Sequence, residues 1–373
     1  MAEFRIPNSI FYGDGTAQHL CSIHGQRLLM VYDDPQIKEP VQKLLSATDI
    51  AVRTFYADPY CADIPQVKEG TKALMEFKPE WILAAGGHGA IDLAKLIRIF
   101  YQRPDLTIQD AIQGKAASIP LDKTKLIALP MYNTNGSEAT CSAYLWDNYA
   151  IHHYEIRSIG LMPDITIIDP SLLFRSNGGQ LAESVLSTFI LAIEATTEAV
   201  LCGSFVRPLA LEAISILSKT VLAHSSASAD KATIMYAQCL SGIAFSNSSP
   251  GLGGILCRAA ASFGTVSFGS LGAAILPAVI KLDKNPDKYI AAAHALGLFD
   301  AVSLANAIIE YADLLGLPLT LNEMGINKNT FLKKLSKVSH SVLSLLPSDT
   351  TEEKETQKHI EQILRMAYSH KEI

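Results

Sequence analysis

The chain has 373 residues, 49% of them hydrophobic and 18% charged, with a formal net charge of −6. That length allows about two domains with large cores, and the mild acidity, with no basic cluster, excludes a nucleic-acid binder. Six cysteines (Cys21, Cys61, Cys141, Cys202, Cys239 and Cys257) stand scattered with no Cys-x-x-Cys pair, as packing thiols of a reduced compartment do.

The N-terminal residues carry Glu3 and Arg5 and no apolar core, so no signal peptide is expected and the protein is read as cytoplasmic. The longest apolar runs, such as 271–280, fall far short of the roughly 20 residues that span a bilayer, so no membrane partner is expected.

In chain order, residues 27–32 form a first apolar run, closed by Asp33-Asp34-Pro35 and followed by a helical pattern over 37–46. A second strand is expected at 50–56, a helix at 64–77, a strand at 81–85 and a helix at 91–101. Further strands are expected at 125–129 and 165–168. Strands alternating with helices across short turns predict an α/β domain built on a doubly wound parallel sheet.

Beyond Asp169-Pro170 the pattern is helical almost throughout, with examples at 181–201, 209–222, 231–243, 255–274, 287–296 and 301–315. Pro208, Pro250, Pro277 and Pro286 punctuate them, and the polar stretch 349–357 reads as a solvated loop before a last helix. The expected organisation is an α/β dinucleotide-binding domain over 1–170 and an all-α domain over 171–373.

Three places in the first half suggest chemistry. The strand 81–85 runs into Gly86-Gly87-His88-Gly89 and then a helix. A strand, a glycine turn and a helix N-terminus bring backbone N–H groups and the positive end of the helix dipole to one point, which suits a phosphate. An ordinary βα turn carries glycines too. Asp33, just after a strand, reads equally as a ligand for the ribose hydroxyls of NAD or as the N-cap of the next helix. The strand 125–129 leads through Pro130, Met131, Tyr132, Asn133, Thr134, Asn135, Gly136 and Ser137, a polar loop able to wrap phosphates or a ribose.

Taken together these landmarks carry a resemblance. Gly86-Gly87 with Asp92 and Lys95 come first, then Ala128-Leu129-Pro130 with the loop ending Gly136-Ser137-Glu138. Leu161-Met162-Pro163-Asp164 leading to Asp169-Pro170, Ala192-Ile193-Glu194-Ala195, and the stretch from Gly269 to Pro277 follow. In this order they resemble the iron-containing alcohol dehydrogenase family, which shares its architecture with glycerol dehydrogenases and dehydroquinate synthases. The resemblance implies an N-terminal domain binding NAD or NADP, a helical domain completing a site for a small-molecule substrate and a metal, and a homodimer. It places Gly86, Gly87 and Asp92 by the pyrophosphate and ribose, Lys95 on the following helix, and Ser137 on a loop over the cofactor.

The chain departs from the family in two regions. The family writes Gly-Gly-Gly-Ser where this chain has His88 in the turn, and a threonine- and glycine-rich loop where it has Met131, Tyr132 and Asn133. The family's divalent ion is held by an Asp-x-x-x-His pair and two more histidines. Those positions fall on Ser187, Leu191, Gly254 and Phe268, none of them an ordinary ligand, so no metal is expected. A further family histidine near the substrate becomes Arg258. A guanidinium there could replace the ion electrostatically and bind an acidic substrate, or it could neutralise Glu194 or Glu183.

The resulting expectation is a metal-independent, NAD(P)-linked oxidoreductase of small carbonyl compounds. The alternative is a catalytically silent or non-redox protein that kept the fold.

Overall fold

The structure is a computed structural model that describes residues 3–116, 123–132, 134–150, 152–172, 178–198, 203–223, 231–264, 266–343, 345–346 and 353–369. Asn133, Cys202, His224, His370 and the end of the expected helix 181–201 lie outside the described residues. The chain forms two compact units, one of residues 4–176 with 231–246 and one made mainly of 177–230 and 247–373.

The first unit runs β1 (Ser9–Tyr12), β2 (Arg27–Tyr32), α1 (Pro35–Leu45), β3 (Ala51–Tyr56), β4 (Ala62–Asp63), α2 (Ile64–Phe77), β5 (Trp81–Gly86), α3 (His88–Gln102) and α4 (Ile108–Ile112). It continues with β6 (Lys125–Pro130), β7 (Ser142–Asp147), β8 (His152–Arg157) and β9 (Ile165–Ile168). Six strands make one parallel sheet in the order β1-β9-β6-β5-β2-β3. Because β2, β5 and β6 are buried on both faces, their runs are continuously apolar rather than alternating. One face packs Leu29, Val31, Ile82 and Ala84 with α2 and α3; the other packs Leu28, Met30, Leu83 and Ala85 with α1.

The chain leaves β2 for β3 on one side and then crosses to β5 on the other, so the winding direction reverses between β2 and β5. At such a switch the loops leaving the two carboxyl ends diverge and open a crevice, where doubly wound sheets bind ligands. Here those ends carry Asp33 and Gly86.

The strands at 27–32, 81–86, 125–130 and 165–168 and the helix at 64–77 match the sequence reading closely. The expectation missed β1, a four-residue edge strand, and the small sheet β4-β7-β8, in which β4 has two residues, β8 is polar and half-buried, and β7 is short and of mixed polarity.

The second unit comprises α5 (Gly178–Thr197) and α6 (Gly203–Ala223), and the chain then returns to the first unit for α7 (Lys231–Ser246). There Cys141 N–H donates to Ser246 Oγ at 2.9 Å, and Arg157 stacks over Phe245. The second unit resumes with α8 (Leu252–Ala260), α9 (Phe268–Leu282), α10 (Ile290–Ala295), α11 (Ala301–Leu314), α12 (Lys328–Leu343) and α13 (Glu353–Ser369).

Three expectations need correction. The apolar run 255–274 is two helices, because Ser267 caps a fresh start at α9, its side chain accepting from Ser270 N–H. Pro208 and Pro277 lie inside α6 and α9 rather than between helices. Of the polar stretch 349–357, residues from Glu353 onward belong to α13, whose apolar stripe (Ile360, Ile363, Leu364, Ala367) is buried.

Candidate functional site

At the switch point β5 ends on Gly86 with φ 152°, a left-handed backbone open to glycine, and α3 starts at once. A Cβ on Gly86 would run into the carboxylate of Asp33. Asp33 Oδ2 accepts from Gly87 N–H at 2.9 Å and Ala90 N–H at 3.3 Å. Burial raises the pKa of this carboxyl, opposed by the nearby Tyr132 phenol, the two amides and His88. The neighbouring Asp34 is the N-cap of α1, its Oδ1 accepting from Gln36 N–H at 2.8 Å. The two carboxylates therefore divide the roles between which the sequence left Asp33 undecided: Asp34 takes the cap and Asp33 turns to the glycine turn.

The first amides of a helix have no intrahelical acceptor. With those of Gly87 and Ala90 given to Asp33, the amides of His88 and Gly89 remain as the cradle's donors. The His88 ring reaches back, its Nε2 3.1 Å from the Tyr60 carbonyl oxygen. The β3–β4 loop lies close over Gly89, where a Cβ would stand 2.9 Å from the Pro59 carbonyl. Glycine is therefore required at Gly89 by the chain's own Asp58-Pro59 backbone, and the turn supplies the donors and dipole that a phosphate needs. The residues fit a dinucleotide phosphate in kind.

Asp92 and Lys95 turn inward from α3. Lys95 is fully buried, and its Nζ donates among Ser137 O (2.5 Å), Ser137 Oγ (3.1 Å), Thr140 Oγ1 (2.8 Å) and Ser142 O (2.9 Å). Ser137 Oγ donates to Asp92 Oδ1, and Asp92 Oδ2 accepts from Tyr144 N–H at 3.1 Å. Burial pulls the ammonium down to about 8, against the pull of Asp92, Cys141 and Glu138. Glu138 is buried beside this network and its pKa is raised by burial. Asn135 takes a left-handed backbone, φ 52°, and starts the turn through Gly136 into Ser137. The network thus ties α3 to the loop after β6, and Ser137 spends its hydroxyl on holding that loop.

In the helical unit α5 carries Ser187 and Leu191, α8 carries Gly254, and α9 begins at Phe268. A buried hydroxyl, an isobutyl group, a glycine and a phenyl ring do not fit a divalent ion. Among the described residues no group of three His, Cys, Asp or Glu side chains could hold one. Ser187 Oγ donates to the Glu183 carbonyl of its own helix at 2.7 Å. Glu194 Oε1 accepts from Gly254 N–H. Arg258 is 9% exposed and lies beside the same glycine: a Cβ on Gly254 would stand 2.5 Å from Glu194 Oε2 and 3.1 Å from Arg258 Nη1.

Sequence reasoning left Glu138, Glu183, Glu194, Thr140 and Tyr60 out of the site residues. Glu138 and Glu194 stood inside the quoted landmarks, and for Glu194 an acid in an otherwise apolar helix was the available signal. Nothing in the sequence marked the contact of the Asp58-Pro59-Tyr60 loop with α3.

Comparison with known proteins agrees with this fold. Residues 7–170 match the family model described as iron-containing alcohol dehydrogenase, and 181–368 match that of the Fe-containing alcohol dehydrogenase family, C-terminal. The NADPH-dependent butanol dehydrogenase of Clostridium saccharobutylicum is 26% identical over 357 residues, covering 92% of each chain. The chain spans 46% of the length of an aldehyde-alcohol dehydrogenase from Streptococcus pneumoniae, to which it is 25% identical. Among solved structures, the iron-containing alcohol dehydrogenase of Thermococcus thioreducens superposes with a TM-score of 0.83 at 24% identity, covering 97% of this chain and 100% of that one. The sulfoacetaldehyde reductase of Bifidobacterium kashiwanohense, solved with NAD+, gives 0.81 at 20% identity, with both chains fully covered.

Proposed function

The chain belongs to the iron-containing alcohol dehydrogenase family of oxidoreductases, and on that premise we propose that it interconverts a small alcohol and its carbonyl compound with NAD or NADP and without the family's metal. One observation carries the reading. The glycine turn of α3 keeps its form at the switch point beside Asp33, whereas the four positions for an ion hold Ser187, Leu191, Gly254 and Phe268.

The nicotinamide cofactor supplies the hydride acceptor or donor when bound. The amides of His88 and Gly89 and the dipole of α3 hold its phosphate, and Asp33 lies within the same turn, where a ribose hydroxyl can donate to it. Lys95, Asp92 and Ser137 fix the loop after β6 and so set the floor of the site. Arg258 lies near Glu194 beside Gly254, where its guanidinium could neutralise that acid or meet an acidic carbonyl substrate. We further propose a cytoplasmic homodimer; no described helix is long and apolar enough to cross a membrane.

The test is turnover of short aliphatic aldehydes with NADH and NADPH after exhaustive EDTA treatment. Undiminished turnover supports the reading. Activity abolished by EDTA and restored by Fe²⁺ or Zn²⁺ contradicts it.

A second reading is favoured by one contact. Asp33 already engages two of the turn's amides, as an anion ligand would, which suits a protein that kept the fold and gave up redox chemistry. Absence of dinucleotide binding at millimolar concentration would decide for it.

A further inference from the structure

The two departures of the first half from the family pattern, one in the glycine turn and one in the loop after β6, bear on the same place. In the turn the chain has His88 and Gly89 where the family writes glycine and serine. The His88 ring meets the Tyr60 carbonyl oxygen, 3.1 Å from Nε2. A carbonyl only accepts, so Nε2 carries the proton and donates. Gly89 lets the same β3–β4 loop come close: a Cβ there would run into the Asp58 carbonyl oxygen and stand 2.9 Å from that of Pro59. The family's serine does not fit under the loop as it lies here. The loop is tied to α2 by Asp58 N–H, which donates to Gln66 Oε1 at 3.2 Å, and closed on itself by Tyr60 N–H, which donates to Asp58 Oδ1 at 2.8 Å.

In the loop after β6, Tyr132 stands within the stretch that the family keeps rich in threonine and glycine. It is half-buried, and its phenol lies against the Asp33 carboxyl. Burial raises the pKa of Asp33, and the phenol is the strongest influence opposing it. Burial and then the Asp33 charge push the phenol up in turn. Asp33 is only 2% exposed, so the carboxylate that a ribose hydroxyl would need is covered. His88 Nδ1 is sealed from water with no hydrogen-bond partner among the described residues. A buried lone pair without a donor is costly, so the His88 contact is held against a penalty and can be given up.

We propose that Tyr132 and His88 hold the glycine turn closed in the free protein, so that a dinucleotide binds only after the phenol leaves Asp33 and the β3–β4 loop lifts from α3. Glycine at 88 or a short side chain at 132 could make neither contact. These two side chains therefore set the dinucleotide affinity of the chain, while the amides and dipole of the turn stay as they are. The proposal rests on the cofactor reading above.

The test is titration calorimetry of NAD(H) on the full-length wild-type chain and on Tyr132→Thr, His88→Gly and the double variant. Tyr132→Thr should bind at least about tenfold tighter and His88→Gly about three- to tenfold, because apparent affinity falls with the fraction of protein that is competent to bind. The double variant should bind more tightly than either. Damage to the fold weakens binding, so a gain in affinity is not what a merely structural role would give. Where Tyr132→Thr fails to fold, Tyr132→Phe takes its place: it keeps the ring, removes the hydroxyl and should still bind more tightly than wild type.

Hydrogen exchange reads the closure without any dinucleotide. Amides of 57–62 should exchange at least about threefold faster in His88→Gly than in wild type. Binding that appears only in the variants supports the proposal as a gain in affinity does. If wild type binds and the variants bind equally or more weakly, or if loop exchange is unchanged, the closure is overturned and the cofactor reading stands. No heat from wild type or any variant at millimolar dinucleotide contradicts the cofactor reading, and the closure with it.

Discussion

Among the described residues, α3 in one unit and α8 and α9 in the other each begin against a carboxylate from a distant part of the chain. At α3, Asp33 takes the amides of Gly87 and Ala90, and the room beside the glycines is filled by the Asp33 carboxylate at Gly86 and by the Asp58-Pro59 backbone at Gly89. At α8 and α9, Glu194 and Glu183 fill the room that side chains at Gly254 and Gly269 would need. In both regions an anion sits on a helix N-terminus; the first also leaves the amides of His88 and Gly89 beside it, the donors on which the proposed cofactor site depends.

The sharpest way to break the comparison is through the buried network that sets the floor of the first region. Lys95→Met removes the only cation this network contains among the described residues and leaves Asp92 and Glu138 uncompensated, so denaturant unfolding should show a loss of about 3–5 kcal/mol. The pH dependence has a definite sign. Burial holds Lys95 at about 8 against an ordinary 10.5, so the unfolded chain binds the proton more tightly than the folded one. As pH rises from about 8 towards 10.5, wild-type stability should rise relative to Lys95→Met by up to about 3 kcal/mol; a parallel pH course in the two proteins would refute the assignment.

Gly86→Ala comes next. The left-handed backbone and the encroached Asp33 should together cost about 2–3 kcal/mol of stability and weaken dinucleotide binding at least roughly tenfold by titration calorimetry. Asp33→Asn should move the ratio of NADP(H) to NAD(H) affinity about tenfold towards NADP(H), because the carboxylate repels a 2′-phosphate. An unchanged ratio would mean that Asp33 is only a cap for α3. The smallest effect is the control: Asp34→Ala should cost about 1 kcal/mol as a lost N-cap and leave both affinities alone.

How much of this was legible in the sequence differs between the regions for a physical reason. The parallel sheet announces itself because β2, β5 and β6 are buried on both faces and read as unbroken apolar runs. The glycine turn was legible because only glycine tolerates the backbone at Gly86. The hairpin of β7 and β8 was not, since β8 is half-buried and polar and β7 is short, with Ser142 and Asp147 at its ends. Asp33 and Asp34 could not be told apart from their order in the chain, because which carboxylate turns inward depends on where β5 brings Gly87. The ligand positions could be read as departing from the family, but the acids beside them could not be placed: pairing Glu183 with Ser270 spans 87 residues, and no local pattern encodes it.

The most direct test of the central claim is calorimetric titration of the purified protein with NAD(H) and NADP(H), each run with EDTA and again with Fe²⁺ or Zn²⁺. Micromolar binding that is the same under all conditions is the predicted result. No heat with any dinucleotide, or binding that appears only when metal is added, would contradict it.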